Sequence, residues 1–425
     1  MKIWRPYTQE KLAPPAVPLA AAEGAHLILP DGRRLFDGIS SWWLITHGHG
    51  CPEIRSAIAE QSQRLEQVVF ANFTHAPAEK LAERLADVLP PKLSRLFFSD
   101  NGSTAVEVAM KMAYQMSRQK GRKGRRFLAF EKSYHGDTCG AMSVSGDGVY
   151  NQHYKGMMFE VVRVQQGHHF SDPLERWTAD FESKLQKFGD EICAVILEPL
   201  AQGAGGMIFW PIEAVRAICA LCRQHDIPVI FDEVMTGFGR TGSLFAFQQI
   251  GFVPDFLCLS KGLTGGFLPM GLTVTTEDVY EAFLSDSPAK MLFHGHSFTG
   301  NALSCAAAAA NLELWKREEA TSRLQSVVEA QRRALNSLPT SLPVRESRQC
   351  GTIAAIELNL GDGYGGAFSR QLHRLCLEKG LFLRALGTTV YLMPPYCATD
   401  REIQEAWNIA FEAIPSAIDF VNGIC

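Results

Sequence analysis

Short, wholly apolar runs recur along the chain and stop at a polar or charged residue: Phe127–Phe130, Ile192–Leu197 before Glu198, Pro228–Phe231 before Asp232, and Phe256–Leu259 before Ser260-Lys261. Runs of this length and uniform polarity predict strands buried on both faces, as in a parallel sheet covered by helices. Between them the apolar spacing becomes helical, over Pro52–Gln67, Ala78–Leu89 and Glu213–His225, and after Thr104 at Ala105, Val108, Ala109, Met112, Ala113 and Met116. Thr104 and Glu107 fit a capping box at the start of that last helix. Strands alternating with helices in this way predict a doubly wound α/β body.

The two ends of the chain follow other patterns. Prolines at 6, 14, 15 and 18 predict an extended arm, and the alternation Ala25–Leu29 running into Pro30-Asp31-Gly32 predicts a small hairpin. Phe36–Trp43 reads as an extended loop. In such a segment adjacent rings point opposite ways, so one of Trp42 and Trp43 packs inside while the other lines a cavity. An alanine-rich helix is predicted over Asn301–Lys316. Beyond it come a helix, a strand at Gly351–Glu357, a helix at Phe368–Lys379, a strand at Leu381–Arg384 and an edge at Tyr391, the outline of a smaller α+β domain. A chain of 425 residues exceeds a single small core. The expected division is an N-terminal arm and part of the small domain over 1–50, a large domain over 51–300, and a linking helix with the small domain over 301–425.

Composition narrows the function classes. Hydrophobic residues at 46% and charged residues at 20% are those of an ordinary soluble globular protein. A net charge of −4 and a pI near 6.3 give no general attraction to nucleic acid or membrane. The basic run Arg118–Arg126 carries no interleaved aromatics and reads as a solvated loop. Eleven scattered cysteines, mostly in apolar surroundings, suggest free thiols in a reducing, cytoplasmic compartment. Cys219 and Cys222 lie on a helical pattern and face a core. The N-terminus lacks the apolar stretch of a signal peptide, and no run reaches membrane-spanning length. His47 and His49, flanked by glycines, favour a turn over a metal site, and no metal is expected.

The chemistry concentrates between Pro228 and Gly266. In open α/β sheets a ligand lies beyond the carboxyl ends of the strands, where Asp232 and Lys261 emerge. A lysine among apolar neighbours and glycines has a lowered pKa and can attack a carbonyl. A carboxylate beside it can hold a protonated ring nitrogen. Together they point to pyridoxal phosphate as cofactor. Gly102-Ser103 at a helix start offers free N–H groups and the positive dipole end to a phosphate, and Tyr134 on a strand-end loop can lie against a planar ring. A rival string, Gly237-x-Gly239-x-x-Gly242, matches a dinucleotide fingerprint, but no acid about twenty residues on completes it.

These pieces resemble the class III aminotransferases, which are fold-type I pyridoxal-phosphate enzymes. The resemblance rests on Gly102-Ser103, Tyr134-His135-Gly136, the Asp232–Gly242 stretch and Ser260-Lys261-Gly262, with Asp232 and Lys261 29 positions apart (261 − 232). Within the family the chain is most similar to a biotin-pathway branch, through Trp4–Thr8, Ser41–Trp43, Gly295–Phe298, Leu383-Arg384 and Tyr391–Pro395. The resemblance implies a mixed, mostly parallel sheet flanked by helices, a smaller α+β domain, and a homodimer with shared active sites. It implies amino transfer to 8-amino-7-oxononanoate, giving 7,8-diaminononanoate, with S-adenosylmethionine as donor. By position, Lys261 joins the cofactor's aldehyde and carries a proton, while Asp232 faces the ring nitrogen. Gly102 and Ser103, with Ser297 of the other subunit, hold the phosphate, and His296 also lies among the cofactor contacts. Tyr134 lies at the ring face and Arg384 pairs with the substrate carboxylate. Tyr7, Trp42, Trp43, Arg240 and Gly295 complete the substrate contacts. His296 stands where many adenosylmethionine-using members have proline, and it resembles members that use lysine. Lysine as donor, or another class III ω-aminotransferase activity, is therefore the alternative.

Overall fold

A computed structural model describes residues 3–361 and 363–423. Its centre is a seven-stranded sheet in the spatial order Leu93–Ser99, Gly271–Thr276, Phe256–Leu259, Val229–Asp232, Ile192–Leu197, Arg126–Phe130, Val162–Val164. The predicted apolar runs are its inner strands, mutually parallel and buried along their whole length. Gly271–Thr276 runs antiparallel to both neighbours and joins Leu93–Ser99 to the parallel set. That strand, rich in threonine and opening on glycine, and the three-residue edge strand Val162–Val164 lie outside the sequence prediction.

Alternate residues of each strand serve different cores. Val195, Leu197, Val229, Phe231, Leu257 and Leu259 meet Trp177, Phe181, Ile218, Cys219 and Cys222 from the helices Leu174–Phe188 and Ile212–Gln224. Ala194, Ile196, Ile230, Phe256 and Cys258 face the opposite layer, where helix Gly102–Gln119 supplies Ala105, Val108, Ala109 and Met112. Both faces are covered, which is why the strands read as uniformly apolar. The predicted cap is displaced by one turn. The helix starts at Gly102, so Asn101 is the cap and Thr104 its third residue; Asn101 Oδ1 accepts from Thr104 N at 3.0 Å. Glu107 instead accepts from the N–H groups of Gly140 and Ala141, at 2.8 and 3.2 Å, at the start of the next helix.

A second apolar cluster gathers Ala354, Ile356, Phe368, Leu372, Leu383, Trp407 and Phe411 with Val327 and Ala330. It lies under the antiparallel strands Val344–Cys350, Ile353–Leu358 and Thr389–Leu392 and the helices Ala367–Glu378 and Asp400–Val421. The N-terminal hairpin joins this end of the molecule, since Arg34–Asp37 pairs in parallel with Leu381–Phe382. Helix Ala302–Trp315 packs Cys305, Ala308, Ala309 and Leu312 into the main core. No helix among the described residues is long and apolar enough to cross a membrane.

Candidate active site

The carboxyl ends of the parallel strands open into a cavity of about 680 Å3, a size suited to a small-molecule ligand. Asp232 pairs in register with Cys258, so the turn after Leu259 delivers Lys261 at the same end of the sheet. Lys261 sits in the left-handed region, with φ 45°. Two bonds from Asn311 Nδ2, to the carbonyls of Gly262 at 2.8 Å and Leu263 at 3.0 Å, fix this turn. The Lys261 ammonium lies 4.6 Å from the centroid of the Trp43 ring. Burial pushes its pKa down to about 8, against the opposing charges of Asp232 and Glu198.

Asp232 is 4% exposed. Its Oδ2 lies 2.7 Å from His135 Nδ1 and its Oδ1 accepts from Val234 N at 3.1 Å. Beside a carboxylate the Nδ1 position carries the proton, which keeps the buried Asp232 paired. Glu198, ending the neighbouring strand, accepts from Tyr134 N at 2.9 Å and Gly203 N at 3.1 Å. Burial raises its pKa to about 7. Strand-end logic singles out Glu198 as it does Asp232, yet its place in the cavity depends on the register between strands, and so does that of His135.

The phosphate-sized corner is built from helix Gly102–Gln119 and the Tyr134–Asp137 loop. The first N–H groups of a helix have no intrahelical acceptor, and Gly102 and Ser103 line the cavity. Gly136 has φ 126°, and a Cβ there would meet Ser103 Oγ at 1.9 Å. A Cβ on Gly102 would meet Val234 Cγ1 at 2.7 Å. Backbone replaces side chains here, as an anion cradle requires. A half-buried amine, a histidine-paired carboxylate and a helix N-terminus in one cavity match the aldehyde, ring nitrogen and phosphate of pyridoxal phosphate.

Aromatic side chains gather above. The Tyr7 hydroxyl bonds to Asp137 and lies 3.1 Å from the Tyr134 hydroxyl. The Tyr7 ring meets Trp42 edge-on at 5.4 Å and Tyr150 at 5.8 Å; Tyr150 also contacts Tyr134 at 5.3 Å and Tyr364 at 5.1 Å. The Arg384 guanidinium stands 4.9 Å from the centre of the Trp42 ring. Asp137, Tyr150 and Tyr364 carry no strand or helix periodicity, and only tertiary structure reveals them.

Ser40–Trp43 departs from the extended loop expected there. All four residues are left-handed, with φ of 51°, 46°, 70° and 76°, and Leu44 N bonds to Ser40 O at 2.9 Å in a left-handed helical turn. For residues other than glycine this costs roughly 1–2 kcal/mol each. Trp43 is nonetheless the inner ring, buried and donating from Nε1 to the Tyr391 hydroxyl at 2.9 Å, while Trp42 remains half-buried.

Four expected site residues stand apart from this cavity. Arg240 is buried behind its wall, donating to the carbonyls of Pro394 at 3.2 Å, Trp43 at 3.3 Å and Ile45 at 2.7 Å. Its guanidinium ties the Trp43 segment to the Pro394 segment, and Arg240 is absent from the lining of the Lys261 cavity. Gly295, His296 and Ser297 lie on a segment away from the Lys261 cavity of the same chain, where His296 Nδ1 is 3.6 Å from Asp100 and Ser297 O accepts from Gln67 at 3.3 Å. The Gly237–Gly242 string offers no free helix start. The helix after it, Ala246–Ile250, has its first N–H groups taken by Glu233, at 2.7 and 2.8 Å, where a dinucleotide pyrophosphate would have to sit.

The model of the family "Aminotransferase class-III" matches residues 7–414, and the chain belongs to that family. It is a pyridoxal-phosphate-dependent aminotransferase. Among curated relatives, the adenosylmethionine-8-amino-7-oxononanoate aminotransferase of Synechococcus elongatus is 43% identical, over 95% of this chain and 96% of its own. The crystal structure of the Methanocaldococcus jannaschii enzyme of the same name superposes with a TM-score of 0.91 at 35% identity, covering 97% of both chains. The omega transaminase from Pseudomonas jessenii in complex with PMP gives 0.90 at 27% identity, over 99% of this chain and 97% of that one.

Proposed function

We propose that this chain transfers an amino group to 8-amino-7-oxononanoate, giving 7,8-diaminononanoate for biotin synthesis, with S-adenosylmethionine as donor. The observation that carries the reading is a half-buried amine and a buried carboxylate at one sheet end, under an aromatic chamber that has a cation at its far side. Bound pyridoxal phosphate supplies an aldehyde that takes up the amino group and a ring that draws off negative charge. Lys261, with its pKa lowered, holds and moves the proton at the carbon bearing the amine. Asp232, held by His135, fixes the charge at the ring nitrogen. Gly102 and Ser103 orient the phosphate. Tyr7, Trp42, Trp43 and Tyr134 exclude water around an aliphatic chain, and Arg384 takes the distal carboxylate. Among the described residues no acid forms an ion pair with Arg384, so its fork is open to a ligand.

Ser297 and His296 complete the phosphate corner of a second copy in this reading. Support comes from the exposed apolar side chains around them: Phe293 is 64% and Phe298 62% exposed, with Val69 and Phe73 on a neighbouring segment at 60% and 59%. A face of this kind is covered in a homodimer. The smaller domain of this reading corresponds to the second apolar cluster, which gathers residues from Val327 on with Ala25 and Phe36, while the linking helix Ala302–Trp315 packs with the large domain; the cytoplasmic location rests on the free, mostly buried cysteines.

Arg384→Ala should raise the KM for the keto acid by about 10- to 100-fold, the effect of one lost charged hydrogen bond, while the kcat with saturating acceptor changes little. An unchanged KM would remove Arg384 from carboxylate recognition. The decisive assay supplies 8-amino-7-oxononanoate with either S-adenosylmethionine or lysine and identifies the product by mass spectrometry. Diamine from adenosylmethionine is expected; diamine only from lysine would move the donor assignment to His296-type chemistry, and none from either would overturn the acceptor.

A further inference from the structure

Four successive left-handed residues without a glycine do not persist unless their surroundings impose them. Here the imposing group is identifiable. Asp37, at the end of strand Arg34–Asp37, is completely buried. Its Oδ1 accepts from Ser41 N at 2.9 Å, and its Oδ2 from the Ser41 hydroxyl at 2.7 Å, so both oxygens are engaged by the centre of the left-handed turn. The same Oδ2 lies 2.9 Å from His49 Nε2, whose side chain is 12% exposed. A buried carboxylate is held only where donors surround it, and His49 supplies the third.

His49 is itself placed by the backbone. It forms a two-way bridge with Gly24, with N–O distances of 2.8 and 3.0 Å. Gly48 and Gly50 on either side have φ of 107° and 69°, conformations open to glycine. A Cβ at Gly48 would in addition meet Cys397 Sγ at 2.6 Å. The His47-Gly-His49-Gly sequence is therefore built to deliver one imidazole to Asp37. Two further ties close the turn from the other side, Ser40 Oγ to Met393 O at 2.7 Å and Arg240 to Ile45 O at 2.7 Å.

We propose that Asp37 and His49 are positioning residues for substrate recognition: they hold Ser40–Trp43 in its left-handed turn and thereby set the Trp42 ring against Arg384 and Tyr7, and the Trp43 ring under Lys261. Neither touches the cavity. The inference rests on the proposed substrate chamber and adds to it the device that shapes the chamber. Without the carboxylate the turn relaxes toward right-handed or extended backbone, which rotates both indoles away.

The test uses the holoenzyme of Asp37→Ala, His49→Ala and His49→Gln, and of Asp37→Ala combined with Ser41→Gly. Asp37→Ala and His49→Ala should raise the KM for the acceptor by roughly 10- to 100-fold, with a smaller effect on kcat, as one strained conformer gives way to others. Their near-UV tryptophan dichroism should fall while the cofactor absorbance band is retained. His49→Gln keeps a donor and should lie nearer the wild type. Ser41→Gly puts at that position a residue that accepts positive φ freely, and it should restore about tenfold of the affinity lost in Asp37→Ala. An unchanged KM and dichroism in Asp37→Ala would overturn the proposal. So would a loss that Ser41→Gly does not relieve and that affects KM and kcat equally with a lower Tm, the signature of a merely structural residue. The same variants are read with whichever amine converts the bound cofactor in the wild type. A wild type that refuses 8-amino-7-oxononanoate overturns the acceptor assignment and leaves this comparison intact.

Discussion

Lys261→Ala is expected to lower turnover by at least about 10⁴-fold, the upper range of a positioned acid–base group, while the protein stays folded and still binds pyridoxal phosphate. The reason lies in its surroundings. The lysine is half-buried, its amine stands over the Trp43 ring and its pKa is pushed down to about 8 by burial. An ordinary lysine is cationic at neutral pH; here a lowered folded value means that the neutral, nucleophilic form grows in as pH rises through about 8. Cofactor capture by the apoenzyme should follow that curve, measured by stopped-flow absorbance. Borohydride should fix the cofactor on Lys261 in the wild type and on no lysine in the variant. A capture rate with its midpoint at the ordinary lysine value, or label on another lysine, would contradict the assignment. Unfolding of Lys261→Ala would mark the residue as structural. Removing the half-buried amine from beside Asp232 and Glu198 leaves two acids facing each other, so the variant's Tm is best compared with and without cofactor.

Asp232→Asn should reduce kcat by about 10²- to 10⁴-fold, the effect of breaking a buried charge pair, with a modest change in Tm. Asparagine fills the same space and keeps the bond from Val234 N, now 3.1 Å long. What it loses is the charge, and with it the reason for His135 Nδ1, 2.7 Å away, to keep its proton. His135→Gln should show a weaker version of the same defect. Near-normal rates in Asp232→Asn would take the residue out of its assigned role. A rate loss accompanied by an unchanged absorbance band would place its effect in substrate conversion, not in cofactor binding.

Neither expectation needs the tertiary structure for its residues, though both need it for their reasons. Lys261 and Asp232 stand out because buried strands must end where polar chemistry begins, and uniform apolar runs mark those ends in the sequence. Gly102 and Ser103 stand out for the related reason that a helix start exposes its N–H groups. His135, Asp137 and Glu198 sit inside or beside the same motifs, but their function follows from which strands are neighbours. Glu198 faces Asp232 because Ile192–Leu197 pairs with Val229–Asp232, an arrangement that periodicity along one strand does not encode.

The chain's own pattern determined the inner parallel strands of the sheet, several of its covering helices, the outline of the smaller α+β part, and the amine–acid pair at the strand ends, since each depends on local periodicity or on where a run stops. Tertiary structure decided the rest. It turned Ser40–Trp43 left-handed, where Asp37 takes both Ser41 bonds and meets His49, twelve positions away, in a part-buried contact. It drew Arg240 behind the wall, where three carbonyls from two distant segments satisfy its guanidinium. It also left His296 and Ser297 away from their own cavity. Such outcomes are set by contacts between segments far apart in sequence, and a local pattern carries no record of them.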